Sequence, residues 1–532
     1  MTPEESLTPL PTEETKKTIA DYISGKSVAA TPEEVEAVQV FSKRLVEDYG
    51  YSKEQIQTRP QFRVRSSPSD EQKKYPIDIA VFAGLERNEE NLFLIVECKE
   101  PTKKTGLRQL KNYMEHSPAT VGVWFNGKEH AYIRKVIKAG TVEYAELPNI
   151  PRNGQRLEDI GRFKRRDLRP TNNLKAVFKD IRNQLAGSMT GITRDQELAP
   201  QIIILLFCKI YDELNRPPDE IVSFRAGIGE SAEDVFKRID SLFEDEVKEE
   251  YDDVFDVNDN ITLDEKSVHY VVGELQNYCI IEAERDVISD AFQVFIGPAL
   301  TGPEGQFFTP RNVIKLIVAL AEPMPKDYIV DPACGSGGFL INALERVWQI
   351  VESEGKRKSW SATQIEKRKA RLASKYFRGI DKDAFLTKVT KAYMALVGDG
   401  RGGIFCDNSL EVSSNWREKT RDKIKPRTFN LVLTNPPFGK KLRIDDPQIL
   451  SQYELGHRWI HDRETSTWQK TNDLHDSQPP QILFVERCLE LLRDRGILGI
   501  VLPESLFCNP SHRYILEFLT SKARIKAIAS MP

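Results

Sequence analysis

Tyr328-Ile329-Val330-Asp331-Pro332-Ala333-Cys334-Gly335-Ser336-Gly337-Gly338-Phe339-Leu340 reads as an apolar strand that ends in an acid and runs into a glycine-rich turn opening a helix. Glycines let backbone amides approach a ligand closely, and the acid can bind an amine or a hydroxyl. Alone, such a loop reads equally well as a tight strand-to-helix turn. Its surroundings decide. Gly379-Ile380-Asp381 closes the next strand with an acid, where a ribose would be held, and Asp407, after the apolar pair Ile404-Phe405, can accept from an adenine amino group. Singly these acids read as surface residues; in series at strand ends they favour a nucleoside ligand.

Strands and helices alternate through this half of the chain: Tyr328–Val330, a helix from Gly338, Phe377–Ile380, a helix from Ala384, Phe429–Leu433, a helix from Gln481, Ile497–Leu502 and Ile525–Ala529. That rhythm predicts a parallel sheet covered on both faces. The strand Phe429-Asn430-Leu431-Val432-Leu433-Thr434 delivers Asn435-Pro436-Pro437-Phe438 at its carboxyl end, where ligands bind in open α/β sheets. Two prolines fix the backbone, so the Asn435 side-chain oxygen and the Pro436 carbonyl can both accept from one exocyclic amine. Such an amine is a poor nucleophile, because its lone pair is delocalised into the ring. Two fixed acceptors localise that pair in the transition state. Phe438 offers a face on which an extruded base can stack.

Gly305-Gln306-Phe307-Phe308-Thr309-Pro310, the glycine loop and Asn435-Pro436-Pro437-Phe438, in that order, closely resemble the motifs of the N6-adenine DNA methyltransferase subunits of type I restriction-modification systems. The resemblance extends from about 170 to 532, including Leu206–Leu214 in a helical region. It implies a Rossmann-like methyltransferase sheet and S-adenosylmethionine as cofactor. It also implies that Phe308, Thr309 and Pro310 flank the cofactor, that Asp331, Gly335 and Gly337 hold its methionine part, that Asp381 takes the ribose and that Asp407 takes the adenine. Asn435, Pro436 and Phe438 would serve the target base. The sequence departs from the family at Asn430, usually Asp, a position expected to precede the strand and to matter little.

Nearer the amino terminus, Tyr75–Val81 and Leu94–Lys99 are two strand-like runs that place Asp78, Glu97 and Lys99 near one another. Two carboxylates and a carbonyl can hold Mg²⁺, which generates hydroxide and stabilises a phosphoryl transition state. The bland reading is a hairpin with solvated charges. This part resembles the PD-(D/E)xK nucleases, and more narrowly the amino-terminal nuclease domain of type I restriction subunits, with Gln109 and Tyr113 as a further element and Glu34 as its first-helix acid. The resemblance implies Asp78 and Glu97 as metal ligands and Lys99 as a catalytic cation.

The chain has 532 residues, room for three or four domains at ~150 residues each. Apolar residues at 40% and charged residues at 29% exclude collagen-like and wholly disordered chains. A net charge of -4 leaves any polyanion site to local patches. Seven cysteines without a CxxC pair point to neither a disulfide framework nor a zinc site, so a cytoplasmic setting is expected. Met1-Thr2-Pro3-Glu4-Glu5 lacks a secretory pattern, and the most apolar run, Ile202 to Cys208, is too short to span a membrane, which needs about 20 residues.

The expected organisation is multidomain α/β. It comprises a flexible arm (1–30), a small PD-(D/E)xK-like domain (31–150), a basic linker (151–170), a helical domain (171–300) with the acidic run 244–259 as a solvated face, and a methyltransferase domain (301–532). Residues 440–478 mix cations with aromatics and suit a loop closing over the flipped base. Three readings of function stay open: an adenine methyltransferase fused to a nuclease, a modification subunit whose nuclease fold is inactive and binds DNA or a partner, and a methyltransferase acting on another amine. The partner expected is double-stranded DNA. The resembling enzymes complete their sheet with an antiparallel strand beside the one that here reads Ile525–Ala529. The expectation is therefore of a sheet lacking its last strand, and of a fragment or a chain needing a specificity subunit or a carboxy-terminal target-recognition domain.

Overall fold

The computed structural model describes residues 17–65, 75–188 except 139 and 172, 195–283, 294, 309–398, 401–439, and 442–531 except 463, 465 and 466. They form two compact units. The first comprises residues 1–193, 212–240 and 262–294; the second comprises 194–211, 241–261 and 295–532. The segment expected as one helical domain, 171–300, is thus divided between them.

The first unit holds a six-stranded sheet in the spatial order β6-β5-β4-β3-β2-β1. Its strands are β1 (Ile56–Gln57), β2 (Ile79–Phe82), β3 (Leu92–Cys98), β4 (Val121–Phe125), β5 (His130–Lys138) and β6 (Thr141–Glu146). Only β3 and β4 run parallel. Successive strand side chains point to opposite faces, so each face receives one helix. Phe41 and Leu45 of α1 (Gln39–Glu47) pack with Ile79, Val81 and Val96, whereas Leu110 and Met114 of α2 (Leu107–Glu115) pack with Ala80, Phe82 and Ile95. Thr31 Oγ1 accepts from Glu34 N at 3.2 Å, capping the turn that leads into α1, and Gly50 follows the helix at φ +74°. Further helices are α3 (Leu174–Ser188), wholly within this unit's segments; α4 (Asp195–Asn215), which is the long helix expected at 198–214, and α5 (Ala232–Ser241), which both run across the boundary; and α6 (Glu265–Leu275), again wholly within them.

Two stretches expected to be loose are packed. Residues 17–30 of the arm form a ribbon, Thr18–Ala20 against Ser27–Ala29, tied down by Asp21, whose buried carboxylate accepts from Ser24, Gln39 and Thr58. The basic stretch 151–170 buries Ile160, Phe163 and Leu168, the last two against Val222 and Cys279. Its apolar residues, spaced among the charges, anchor it.

In the second unit five strands run wholly parallel in the order β9-β8-β7-β10-β13. They are β7 (Ile329–Asp331), β8 (Phe377–Asp381), β9 (Ile404–Cys406), β10 (Phe429–Thr434) and β13 (Leu492–Ile500). A separate antiparallel hairpin, β11 (His457–Asp462) with β12 (Thr467–Leu474), lies between β10 and β13 in the chain. The helices are α7 (Arg311–Ala321), α8 (Gly338–Arg357), α9 (Ala362–Tyr376), α10 (Ala384–Gly398), α11 (Pro480–Leu491) and α12 (Arg513–Lys522). On one face Leu340 of α8 closes on Gly379 and Ile317 of α7 on Gly499; on the other, Cys488 and Leu491 of α11 meet Val330, Ile380 and Val432.

Three expectations change here. Among the described residues no strand pairs with Ile525–Ala529, and Ile528 is 83% exposed: an apolar run with no ladder partner forms no strand. The acidic run is not simply solvated, since Asp259 pairs with Lys388 at 2.7 Å and Arg401 pairs with Asp253 at 3.3 Å and with Glu250 at 3.4 Å. Asn430 sits inside β10 rather than before it, and its Oδ1 accepts from Tyr328 N at 3.0 Å, a bond that either Asn or Asp can make.

The first unit is knit by a buried charge network. Arg44 of α1, 1% exposed, reaches Asp180 of α3 at 2.9 Å and Glu274 of α6 at 3.1 Å, and Glu274 also meets His130 Nε2 of β5 at 3.1 Å. His130 and Arg44 together hold the Glu274 carboxyl at about 2 despite its burial. Removing the guanidinium would leave two buried carboxylates short of a counter-charge. Arg44→Met is therefore expected to cost roughly 3–5 kcal/mol, read as a lowered urea midpoint for the transition of this unit.

Candidate active site

The carboxyl ends of β7, β8 and β10 and the turn after β9 open onto one cavity. The chain leaves β7 for β8 and β9 on one side and returns to β10 on the other, so the cavity stands at the point where strand order reverses. Asp331 through Ser336, Asp381, Lys382, Asn408 through Leu410 and Asn435 through Phe438 line it, with Thr309 and Ile314 from the start of α7. Leu442, Arg443, Ile444, Pro480 and Phe484 complete the wall beside Phe438.

The glycine loop is held by its neighbours. Gly335 and Gly337 have φ of +52° and +82°, and a Cβ on Gly337 would come within 2.9 Å of Thr390 Cγ2. Both positions therefore disfavour a side chain. Gly335 N donates to Asp381 Oδ2 at 2.9 Å, and Thr390 Oγ1 of α10 donates to the Gly335 carbonyl. Thr387, on the same helix, donates to the Asp381 carbonyl at 3.3 Å. Sequence reading missed these two threonines; their spacing on the helix after β8 was the available signal.

Asp331 is 1% exposed, and burial pushes its carboxyl up to about 7, with the charge of Asp381 adding to the shift. Asp381 is raised as well, again chiefly by burial, although it accepts from Gly335 N and Asp383 N. Two such carboxylates facing one cavity suit a cationic ligand.

Asn435 Nδ2 donates to Thr309 Oγ1 at 2.8 Å, and its Oδ1 is buried without a hydrogen-bond partner. A buried acceptor of this kind is costly unless a ligand satisfies it. Pro436 is buried, and Phe438 is half-buried on the cavity wall. Pro310 is the N-cap residue of α7, and Phe308 lies outside the described residues.

Asp407 differs from its expected place. Its carboxylate accepts from Thr420 Oγ1 and Arg417 N, and it is Asn408, Ser409 and Leu410 that line the cavity there. The helix turn at Thr420 competes for a carboxylate that the strand-end position alone would have offered to a ligand. The aromatic residues of 440–478 are likewise engaged elsewhere. Trp459 and Trp468 pack against Leu506, Tyr514 and Phe518, and Trp459 stacks on Tyr514 with centroids 5.9 Å apart. The wall beside Phe438 is closed instead by a reciprocal pair of 2.8 Å backbone hydrogen bonds between Ile444 and Gln478, with Arg443 Nε donating to Ser477 Oγ at 3.1 Å.

The first unit brings together the second group of expected residues. Asp78 Oδ2 accepts from Cys98 N at 2.8 Å at the paired ends of β2 and β3, and Lys99 Nζ forms an ion pair with Glu97. Burial pushes Asp78 up to about 6 and Glu97 up to about 7, and the Asp78 charge adds to the rise at Glu97. Gln109 Nε2 donates to Tyr113 Oη at 2.7 Å. Glu34, expected as the first-helix acid, is committed to Arg59 and Gln39. It is Glu33 whose charge acts on Asp78, Glu97 and Lys99. One residue along a helix is about 100° of rotation, and periodicity does not fix which neighbouring acid faces the sheet. Among the described residues no group of three or more His, Cys, Asp or Glu side chains is arranged to hold a metal.

Residues 283–532 match the N-6 DNA Methylase family, and residues 32–151 match the amino terminus of type I restriction enzyme R proteins. The carboxy-terminal half is an N-6 DNA methylase domain. The chain is 26% identical over 291 residues to the type I restriction enzyme EcoEI methylase subunit of Escherichia coli, covering 54% of this chain and 50% of that protein. It is 27% identical over 234 residues to the MjaIX methylase subunit of Methanocaldococcus jannaschii, covering 42% and 36%. The matches thus span half or less of these relatives' lengths. The solved type I restriction-modification methyltransferase subunit from Streptococcus thermophilus aligns with a TM-score of 0.35 at 19% identity, over 55% of this chain and 56% of that one. Among the described residues no helix is long and apolar enough to cross a membrane.

The Asp331 carboxyl yields a pH test for the methylase domain. A carboxyl raised to about 7 is largely protonated below that pH, and a cationic ligand such as S-adenosylmethionine favours its ionised form. Affinity should therefore fall as pH drops from 8 to 6, with proton release on binding near neutrality. Titration calorimetry in buffers of different ionisation enthalpy reads both effects, and Asp331→Asn should flatten the pH dependence.

Proposed function

We propose that the methylase domain transfers a methyl group from S-adenosylmethionine to N6 of an adenine rotated out of double-stranded DNA, within a restriction-modification system. The observation that carries this reading is the buried, unpartnered Asn435 Oδ1 in the same cavity as two carboxylates, the buried Asp331 and the half-buried Asp381. The cavity fits the cofactor chemically: the glycine cradle leaves room for its methionine part, Asp331 and Asp381 match its positive charge and hydroxyls, and Asn408 with Leu410 bounds the remaining end. S-adenosylmethionine bound there supplies an electrophilic methyl on a sulfonium.

The chain's own residues prepare the nucleophile. Asn435 Oδ1 and the Pro436 carbonyl accept from the exocyclic amine and draw its hydrogens out of the ring plane, which localises the nitrogen lone pair. Phe438 stacks the extruded base. With the cofactor bound, its methyl group would pass to the amine nitrogen with the sulfide as leaving group, and the amine would lose a proton to water, because neutral amides are too weakly basic to keep it. Recognition of a DNA sequence is assigned to a specificity subunit or a target-recognition domain acting with this domain.

The amino-terminal unit supports a second activity. Asp78, half-buried, and Glu97, buried, stand at adjoining strand ends with raised carboxyls and would together hold Mg²⁺, and Lys99, paired with Glu97, would neutralise a phosphate. Mg²⁺ held there would supply a bound hydroxide for hydrolysis of a phosphodiester. We assign this unit a Mg²⁺-dependent endonuclease centre; the alternative is an inactive nuclease fold that binds DNA or a partner.

Asn435→Ala should abolish methylation while S-adenosylmethionine binding persists, with mass spectrometry of digested DNA showing N6-methyladenine for the native chain alone. Methylcytosine as the sole product, methylation of a protein or RNA amine only, or an active Asn435→Ala variant would reject the adenine reading. For the other unit, Asp78→Ala and Lys99→Ala should stop Mg²⁺-dependent cutting of unmodified DNA yet leave methylation intact. If the native chain cuts no DNA that it can methylate, the unit is a binding module.

A further inference from the structure

Asn435 presents an amide with two unlike ends, and the chemistry above can use only one of them. The exocyclic amine of adenine offers hydrogens, so it must meet Oδ1; half a turn of the amide would set NH₂ against NH₂. The two orientations fill nearly the same volume. Packing therefore does not choose between them; a hydroxyl beside the amide can accept from Nδ2 or donate to Oδ1, and a target amine at Oδ1 leaves it the accepting role. Nδ2 donates to Thr309 Oγ1 at 2.8 Å, and Oδ1 is left buried and unpartnered.

We propose that Thr309 is a positioning residue for methyl transfer, whose hydroxyl oxygen accepts from Asn435 Nδ2 while Oδ1 accepts from the target amine, so that the amide plane is held at the cavity wall. The inference rests on the methyltransferase reading and deepens it. Thr309 is itself well fixed. It precedes Pro310, the N-cap of α7, and α7 is seated by Ile314 over Gly338 and by Ile317 over Gly499, where an added Cβ would come within 2.7 and 2.5 Å of those side chains. The helix that leads away from Thr309 is thus keyed to the glycine loop at one end and to the sheet at its middle. The two bonded residues are 126 positions apart, and α7 supplies the rigid link that brings them into register. Thr309 also lines the cavity, so a contact with the cofactor is the competing role to be separated.

Steady-state kinetics and equilibrium cofactor binding on the full chain, with its specificity partner where one is required for turnover, make that separation. Thr309→Val keeps the shape and removes the acceptor; kcat should fall about tenfold or more. The Kd for S-adenosylmethionine and the KM for DNA should stay within about twofold. Thr309→Ser, which restores the acceptor, should recover kcat to within about threefold of the native value. If the valine variant fails to fold, Thr309→Ala carries the same expectation with no added bulk. Native kcat in Thr309→Val, or a loss that lies in cofactor Kd, overturns the proposal. An active Asn435→Ala would overturn the underlying reading instead; an inactive Asn435→Ala beside a fully active Thr309→Val would remove this inference alone.

Discussion

Five strands running the same way deliver their carboxyl ends to one edge of a sheet, and the chemistry of the methylase domain follows from that alignment. Each crossover returns the chain to the opposite edge, so each strand ends where the others end. Asp331, Asp381 and Asn435 come from three separate strand ends and share one cavity because of it. The reversal of direction after β7 then parts the neighbouring crossovers and opens a crevice between Asp331 and Asn435. Loops alone would place these groups with far less accuracy.

Much of this was legible in sequence because the signals are local. A strand that ends in an acid before glycines, or in Asn-Pro-Pro-Phe, states its own position and its own backbone geometry. What sequence did not show is competition for side chains by residues distant along the chain. Asp407 stands at a strand end as expected, but Thr420 takes its carboxylate. Glu34 and Glu33 are adjacent acids, and only the register of the helix against Arg59 separates them. The acidic run read as solvated because its partners, Lys388 and Arg401, lie more than a hundred residues away. Ile525–Ala529 has strand composition, but a strand exists only through its neighbours.

Buried charge is handled in two opposite ways within this chain. Around Arg44, a guanidinium and an imidazole hold Glu274 ionised as a structural element, although burial still raises Asp180 beside them. At Asp331 and Asp381, and again at Asp78 and Glu97, burial outruns compensation and the carboxyls rise. A protein that can neutralise an interior acid, as at Glu274, has left these two pairs under-neutralised. Both lie at strand ends, where a ligand can supply what is missing.

The reciprocal bonds between Ile444 and Gln478 pinch together the two ends of the excursion that carries the β11–β12 hairpin. The wall beside Phe438 therefore ends at the pinch and owes nothing to the length of what lies beyond it. The hairpin's own debt is to α12, through Trp459 and Trp468 against Tyr514 and Phe518. In modular terms, this excursion is a cassette with a fixed socket: a shorter ribbon, a longer one or a grafted recognition element could occupy it. The aromatic face of α12 would have to be covered or recoded in the exchange, and the base-side wall would keep its form.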